Sequence, residues 1–194
     1  TLGSATYDND NHHGTAIVIH PVTNAVHIVT STNDNAHRDL IHHTNETGSW
    51  INTTITNTLS DEGHDPVMAM DSNGNLYVAY YCDNGCSDLR MSSRINGVWQ
   101  NETIAGNVAS SGSNWNVGAQ PDIAIDSQDT IHIVSNYVNN RRVYLHSGTP
   151  GSWTQTQLTT GSQSYWPTIA IDSNDVLHVA YHLAWTLSLI HISE

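Results

Sequence analysis

The chain has no lysine and no phenylalanine, only two cysteines, and five basic residues, every one of them arginine. Each shortage excludes something. Against 18 acidic residues those five arginines leave a formal charge of −13 at pH 7. Such a surface repels nucleic acid and anionic membranes and stays soluble in salt, so no nucleic-acid partner is expected. No apolar run is long enough to span a bilayer, so membrane insertion by this segment is not expected either. The two cysteines and the abundance of Asn, Thr and Ser point outside the cell, to a secreted or cell-surface protein.

What is present is repetition. The segment 65–80, Asp-Pro-Val-Met-Ala-Met-Asp-Ser-Asn-Gly-Asn-Leu-Tyr-Val-Ala-Tyr, returns at 120–135 and 166–181, and in weaker form at 14–29. Its prolines stand at 66, 121 and 167, and the tryptophans that follow each Gly-x pair stand at 50, 99 and 153. A period of about 50 residues marks one supersecondary unit repeated, each needing its neighbours to bury its apolar faces.

Each copy reads as a hairpin. Val67 to Met70 is a short apolar run, Asp71 to Asn75 holds turn residues, and Leu76 to Tyr81 is rich in β-formers, which is the hairpin signal. The runs are apolar on both faces, as a sheet sandwiched between two others requires. A second hairpin follows in each unit: Leu89 to Arg94, the Asn96-Gly97 turn, then Val98 to Ile104 with Trp99. Its counterparts run from Asp39 to Trp50 and from Arg142 to Trp153. Each unit is therefore four short strands, A to D.

Four-stranded units of this length imply an all-β protein, the blades of a β-propeller. The stretch Pro167-Thr-Ile-Ala-Ile-Asp-Ser-Asn-Asp-Val-Leu-His-Val-Ala-Tyr181 resembles the sialidase-like propeller repeats of secreted and cell-surface proteins, and the likeness covers residues 12–182. The Ser-x-Asp-x-Gly-x-Thr-Trp box of bacterial neuraminidases is not present; only Gly48-Ser-Trp50, Gly97-Val-Trp99 and Gly151-Ser-Trp153 echo its end. The expected organisation of 1–182 is an incomplete propeller with blades at 12–60, 64–106 and 119–160 and a partial fourth at 165–182. The remaining blades of a parent protein would be its partners. The tail 183–194 leaves the repeat, and Leu187-Ser-Leu-Ile-His-Ile-Ser-Glu194 is similar to the adapter read-through at the ends of metagenomic fragments. The alternative is a genuine strand of the sheet.

Several residue groups invite a chemical reading. Cys82 and Cys86 bracket a small loop, and a disulfide there would agree with an oxidising compartment; a metal pair lacks two further soft ligands, and free thiols are the third alternative. Asp71-Ser-Asn-Gly-Asn75 has oxygen donors at alternate positions but not the sixth-position glycine or twelfth-position glutamate of a calcium loop. The bland reading is preferred: the Asp and Ser side chains bond the amides of their own turn. His27, Tyr77, His132 and His178 are equivalent residues of strand B, expected to pack against the adjoining blade with their polar atoms hydrogen-bonded. No metal site and no cofactor is expected. Three Asn-x-Thr sequons, at 45, 52 and 101, add little in a chain so rich in Asn and Thr.

In an antiparallel A-B-C-D meander, the B–C loops and D–A connections emerge at one end and the short turns at the other. The first end varies from blade to blade, which is where scaffolds place binding. Its candidate ligand residues are Asp61, Glu62, His64, Arg38, Arg141, Trp115, Tyr165 and Trp166; aromatic platforms with polar neighbours suit a glycan or a protein ligand. For an exo-sialidase the resemblance would imply an arginine triad, a Tyr–Glu nucleophile pair and an aspartate acid/base. That constellation cannot be assembled from these residues, and adjacent Asp61 and Glu62 are a poor basis for a glycosidase carboxylate pair. No catalytic residue is assigned: the expectation is a binding module, and the alternative is a fragment of a sialidase-like glycoside hydrolase.

Overall fold

The computed structural model describes residues 14–32, 38–57, 61–83, 86–106, 120–137, 140–161, 163–183 and 186–192. They form four antiparallel meanders in chain order. Blade 1 is β1 (Thr15–Ile19), β2 (Val26–Ser31), β3 (Leu40–Thr44) and β4 (Ile51–Thr54). Blade 2 is β5 (Glu62–Met70), β6 (Leu76–Cys82), β7 (Asp88–Ile95) and β8 (Val98–Ala105). Blade 3 is β9 (Asp122–Ile125), β10 (Ile131–Tyr137), β11 (Arg142–Thr149) and β12 (Ser152–Gln157). Blade 4 has three strands, β13 (Ser164–Ile171), β14 (Leu177–Leu183) and β15 (Thr186–Ile192). The chain is an all-β propeller fragment, as the repeat predicted. Residues 186–192, foreign to the repeat in sequence, pair with β14 from Leu177↔Ile192 to Leu183↔Thr186.

The sheets stack like fan vanes, with β1, β5, β9 and β13 side by side along the inner edge. Side chains of each sheet alternate between a trailing face, toward the following blade, and a leading face, toward the preceding one. Between blades 1 and 2, Val29, Leu40 and Ile55 meet Met68, Val78 and Tyr80. Between blades 2 and 3, Tyr77, Ala79, Leu89 and Met91 meet Ile123, Ile131 and Ile133. Between blades 3 and 4, Val134, Val143 and Leu145 meet Ile169, Leu177 and Val179. This is why the strand A and B runs carry apolar residues on both faces: each face belongs to a different interface.

The recurrent aspartate closes its own turn. Asp126 accepts from the N–H groups of Gln128 (2.9 Å) and Thr130 (2.7 Å), and its second oxygen lies 3.1 Å from Nε2 of His132. Asp71 accepts from the amides of Asn73 and Asn75 and from the Tyr77 hydroxyl. Asp172 repeats the pattern with Asn174, Val176 and His178. The strand B residue thus has its partner within its own blade; the rings of Tyr77 and His132 are buried between blades, as expected, whereas His178, on the outer face of blade 4, is partly exposed. In the first blade, where His20 replaces the aspartate, His27 instead lies 3.0 Å from His42 and stacks on it, with Trp99 of blade 2 edge-on to His42.

Two expectations follow from these buried groups. Asp126→Ala should lower stability by about 1–2 kcal/mol, because two backbone donors and one imidazole lose their acceptor; urea denaturation measures it. Burial pushes the pKa of His42 down from 6.5 to about 4, helped by neighbouring His27, and burial pushes His146 down to about 4 as well. The unfolded chain therefore binds more protons than the folded one between those limits. Stability is full above about pH 6.5 and declines as the pH falls toward about 4. Thermal midpoints taken across that window should fall on acidification, with a shallower slope for His146→Gln.

Candidate functional site

The loop end of the fan gathers the sequence candidates into two groups, not one. The first lies where blade 1 meets blade 2. Arg38, at the entry to β3, has Nη1 2.8 Å from Nε2 of His64, and its guanidinium stands 3.6 Å from Asp61. Asp61 Oδ2 is 3.3 Å from the same imidazole nitrogen, and Asp61 Oδ1 accepts the Arg38 backbone N–H at 3.1 Å. Burial by itself would raise the Asp61 carboxyl, but the His64 and Arg38 contacts outweigh it and hold the pKa below the usual aspartate range. Glu62 forms an ion pair with Arg90 of β7, which also lies 3.6 Å from Asp88.

This cluster is shut in. Glu62 and His64 are each only 1% exposed, and Arg38 is buried with them. The sequence placed these residues in solvated connections. In the structure β5 extends back to Glu62 through two register shifts, carrying them into the blade interface. Gly63 makes the approach possible: with φ at +99°, a Cβ on it would lie 3.0 Å from Leu40. What the Arg38, Asp61 and His64 contacts can do chemically is hold two blades together with charge-assisted bonds, while Glu62 and Arg90 pair within blade 2. Arg90, the cation that pairs with Glu62, carried no site assignment in the sequence, which showed it only as part of the Leu89 to Arg94 strand.

The second group lies on blade 4. Trp166 sits on a bulge of β13, between the Tyr165↔His182 and Thr168↔Ala180 pairs. Its φ is +48°, a conformation uncommon for a bulky residue and disfavoured before proline. The bulge leaves the indole 49% exposed. Tyr165 packs against it with ring centroids 5.7 Å apart, and His182 meets it edge-on at 5.6 Å. Bulges re-aim side chains in this way, and strain of this kind collects at functional positions.

Blades 3 and 4 also hold buried polar atoms without partners among the described residues. Asn136 donates from Nδ2 to the Ser164 carbonyl at 2.9 Å, yet its Oδ1 and the Ser164 hydroxyl find no partner among the described residues. Asn140 donates to the Tyr144 hydroxyl, leaving its own Oδ1 without a donor. Orphaned polar atoms inside a folded protein call for an explanation. Arg141, at φ +53°, accepts the Ser164 N–H at its carbonyl while its side chain is exposed at the rim. Trp115 lies outside the described residues. Cys82 and Cys86 are joined by a disulfide in the B–C loop of blade 2. Among the described residues no three His, Cys, Asp or Glu side chains are grouped to hold a metal, and no helix is long and apolar enough to cross a membrane.

No family model and no curated protein matches the sequence. Solved structures do match in three dimensions. An α-L-arabinanase of Penicillium chrysogenum, complexed with arabinobiose, superposes with a TM-score of 0.68 at 10% identity, over 95% of this chain and 62% of that one. A protein of unknown function from Dyadobacter fermentans gives 0.63 at 7% identity, over 90% and 51%. An exo-β-1,3-galactanase of Clostridium thermocellum gives 0.57 at 13% identity, over 99% and 51%. The fold is a β-propeller. Likeness at these identities carries the architecture and nothing finer, and the chain spans between 51% and 62% of these three proteins.

The ion pairs of the first group generate an expectation. Arg90→Met should cost about 3 kcal/mol or more, because it strands the Glu62 carboxylate in the interface, and Glu62→Gln added to it should restore much of the loss. Chemical denaturation of the two single variants and the double variant tests the cycle.

Proposed function

We propose that this propeller is a glycan-binding module whose site is the loop end of blades 3 and 4. The observation that carries the reading is the half-exposed Trp166, flanked by Tyr165 and His182. A sugar ring has an apolar face to stack on an indole and hydroxyls to satisfy amide and hydroxyl groups. Arg141 would stand at the rim as a further donor. The disulfide and the acidic, lysine-free surface support an extracellular or cell-surface setting. The sialidase-like repeat is our reading of its kinship, and a protein ligand is the other outcome a binding screen would reveal.

A second reading is that the chain is part of a glycoside hydrolase, which the names of the arabinanase and galactanase neighbours favour. Asp61 and Glu62 are the carboxylates nominated for it, but Glu62 is buried against Arg90 and Asp61 is held ionised by His64 and Arg38. A glycosidase acid needs the opposite, a carboxyl kept protonated near neutral pH.

Calorimetry or glycan-array binding with arabinan- and galactan-derived oligosaccharides separates the two. Binding without turnover, weakened at least tenfold by Trp166→Ala and left in place by Asp61→Asn, supports the module. Release of reducing sugar abolished by Asp61→Asn or Glu62→Gln would replace it with the hydrolase.

A further inference from the structure

The inner edge of the fan carries one costly backbone geometry twice. Trp166 on its bulge in β13 has a counterpart in β5. Asp65 also precedes a proline, and it lies at the register shift between the His64↔Tyr81 and Val67↔Ala79 pairs. Its φ is +49°, against +48° for Trp166. The two bulges are one device, repeated in blades 2 and 4.

A left-handed backbone costs a residue with a side chain energy that glycine does not lose. The C–D turns of the first three blades use glycine for it: Gly48, Gly97 and Gly151 have φ of 84°, 82° and 81°. The bulges instead keep an aspartate and a tryptophan, two side chains with no chemistry in common. A conformation needed only by the fold would be met by glycine in both places. Strain retained under two different side chains points to a use for the side chains themselves.

Their location is shared as well. Strands β1, β5, β9 and β13 lie side by side along the inner edge, so the residues at their loop ends form one row. Blade 1 supplies Gly14, where a Cβ would lie 3.1 Å from Asp65 Cα and closer still to Pro66. No side chain fits there. Blade 3 supplies Gln120, two residues before Asp122, whose carboxylate accepts the Ile169 N–H of blade 4 at 2.9 Å. These positions present a carboxylate, an amide and an indole, with no cation among them. Asp65 belongs to an inner blade, packed by blade 1 on one face and by blade 3 on the other.

We propose that Asp65 is the polar anchor of the site whose aromatic wall is Trp166, and that this site takes neutral rather than anionic sugars. The inference rests on the glycan reading above and narrows it. An indole stacks on the apolar face of one sugar ring, while a carboxylate accepts from two neighbouring hydroxyls of the same oligosaccharide. A uronic or sialic acid would bring a second negative charge to Asp65, in a chain whose formal charge is already −13. Like-charge repulsion opposes it.

Calorimetric titration with arabinan- and galactan-derived oligosaccharides, and with oligogalacturonate as the anionic counterpart, tests this. The neutral sugars should bind about tenfold more tightly than oligogalacturonate, or better. Asp65→Asn keeps the size of the side chain and tolerates the left-handed backbone; it should weaken neutral binding about tenfold and narrow the gap to oligogalacturonate. Asp65→Gly should lose at least as much binding while its urea midpoint stays unchanged or rises, which a purely structural aspartate would not allow. Neutral binding that needs Trp166 but ignores Asp65→Asn would overturn the inference and leave the ligand reading standing. Tighter binding of oligogalacturonate, or a lowered midpoint for Asp65→Gly, would overturn it too. A chain that binds no oligosaccharide of either charge removes both.

Discussion

Face-to-face burial of one sheet against the next is the interaction on which everything else in this protein rests. No blade has a core of its own: Tyr77, Ala79 and Met91 are buried only because Ile123, Ile131 and Ile133 of the following blade lie over them. Burying one such side chain is worth about 1.5–3 kcal/mol, and the gain exists only in the stack. Stability is accordingly a property of interfaces between repeats, as in other repeat architectures. The polar devices are fitted around that constraint. Aspartates 71, 126 and 172 close turns so that their strands enter the interface in register, and hydrogen bonds from Ser72 to Asp129 and from Ser127 to Asp175 pin neighbouring sheets where the apolar contact ends.

The same constraint sorts the charged residues. At the junction of blades 1 and 2 the loop end is drawn into the interface, and Arg38, Asp61, Glu62, His64 and Arg90 satisfy one another there. In blade 4 a bulge turns Trp166 outward, to 49% exposure beside Tyr165 and His182. The first group spends its polar groups on cohesion, and the second leaves an aromatic surface open. That exposed step, rather than the fold, is the basis of the proposed ligand site.

Much of the architecture was legible in the repeat because its signals are local. The Asp-Ser turn, the Asn-Gly turn and apolar runs of four to seven residues each follow from chain chemistry at short range, and β5 to β8 appear where those signals lie. The site was less legible. Glu62 and His64 are polar residues ahead of a proline and read as loop; they became strand because Gly63 can approach Leu40 and because register shifts absorb the extra residues. Nothing local in Ser-Tyr-Trp-Pro announces that the indole turns outward, since that depends on which pairing the bulge preserves. Arg90 could be placed in a strand, but its partner lies 28 residues away.

The sequence by itself determined the unit: four strands, their turns, and sheets apolar on both faces that cannot stand alone. Hydrogen-bonded turns and period-two patterning are written in neighbouring residues, so no distant contact is needed to read them. Only the tertiary structure decided which carboxylates are neutralised by buried cations, which tryptophan is exposed, and which serine finds its aspartate in the next blade. Those outcomes depend on side chains far apart in the sequence meeting in space, within one blade for Glu62 and Arg90 and across two for Ser72 and Asp129, and such a meeting is not encoded in the spacing along the chain.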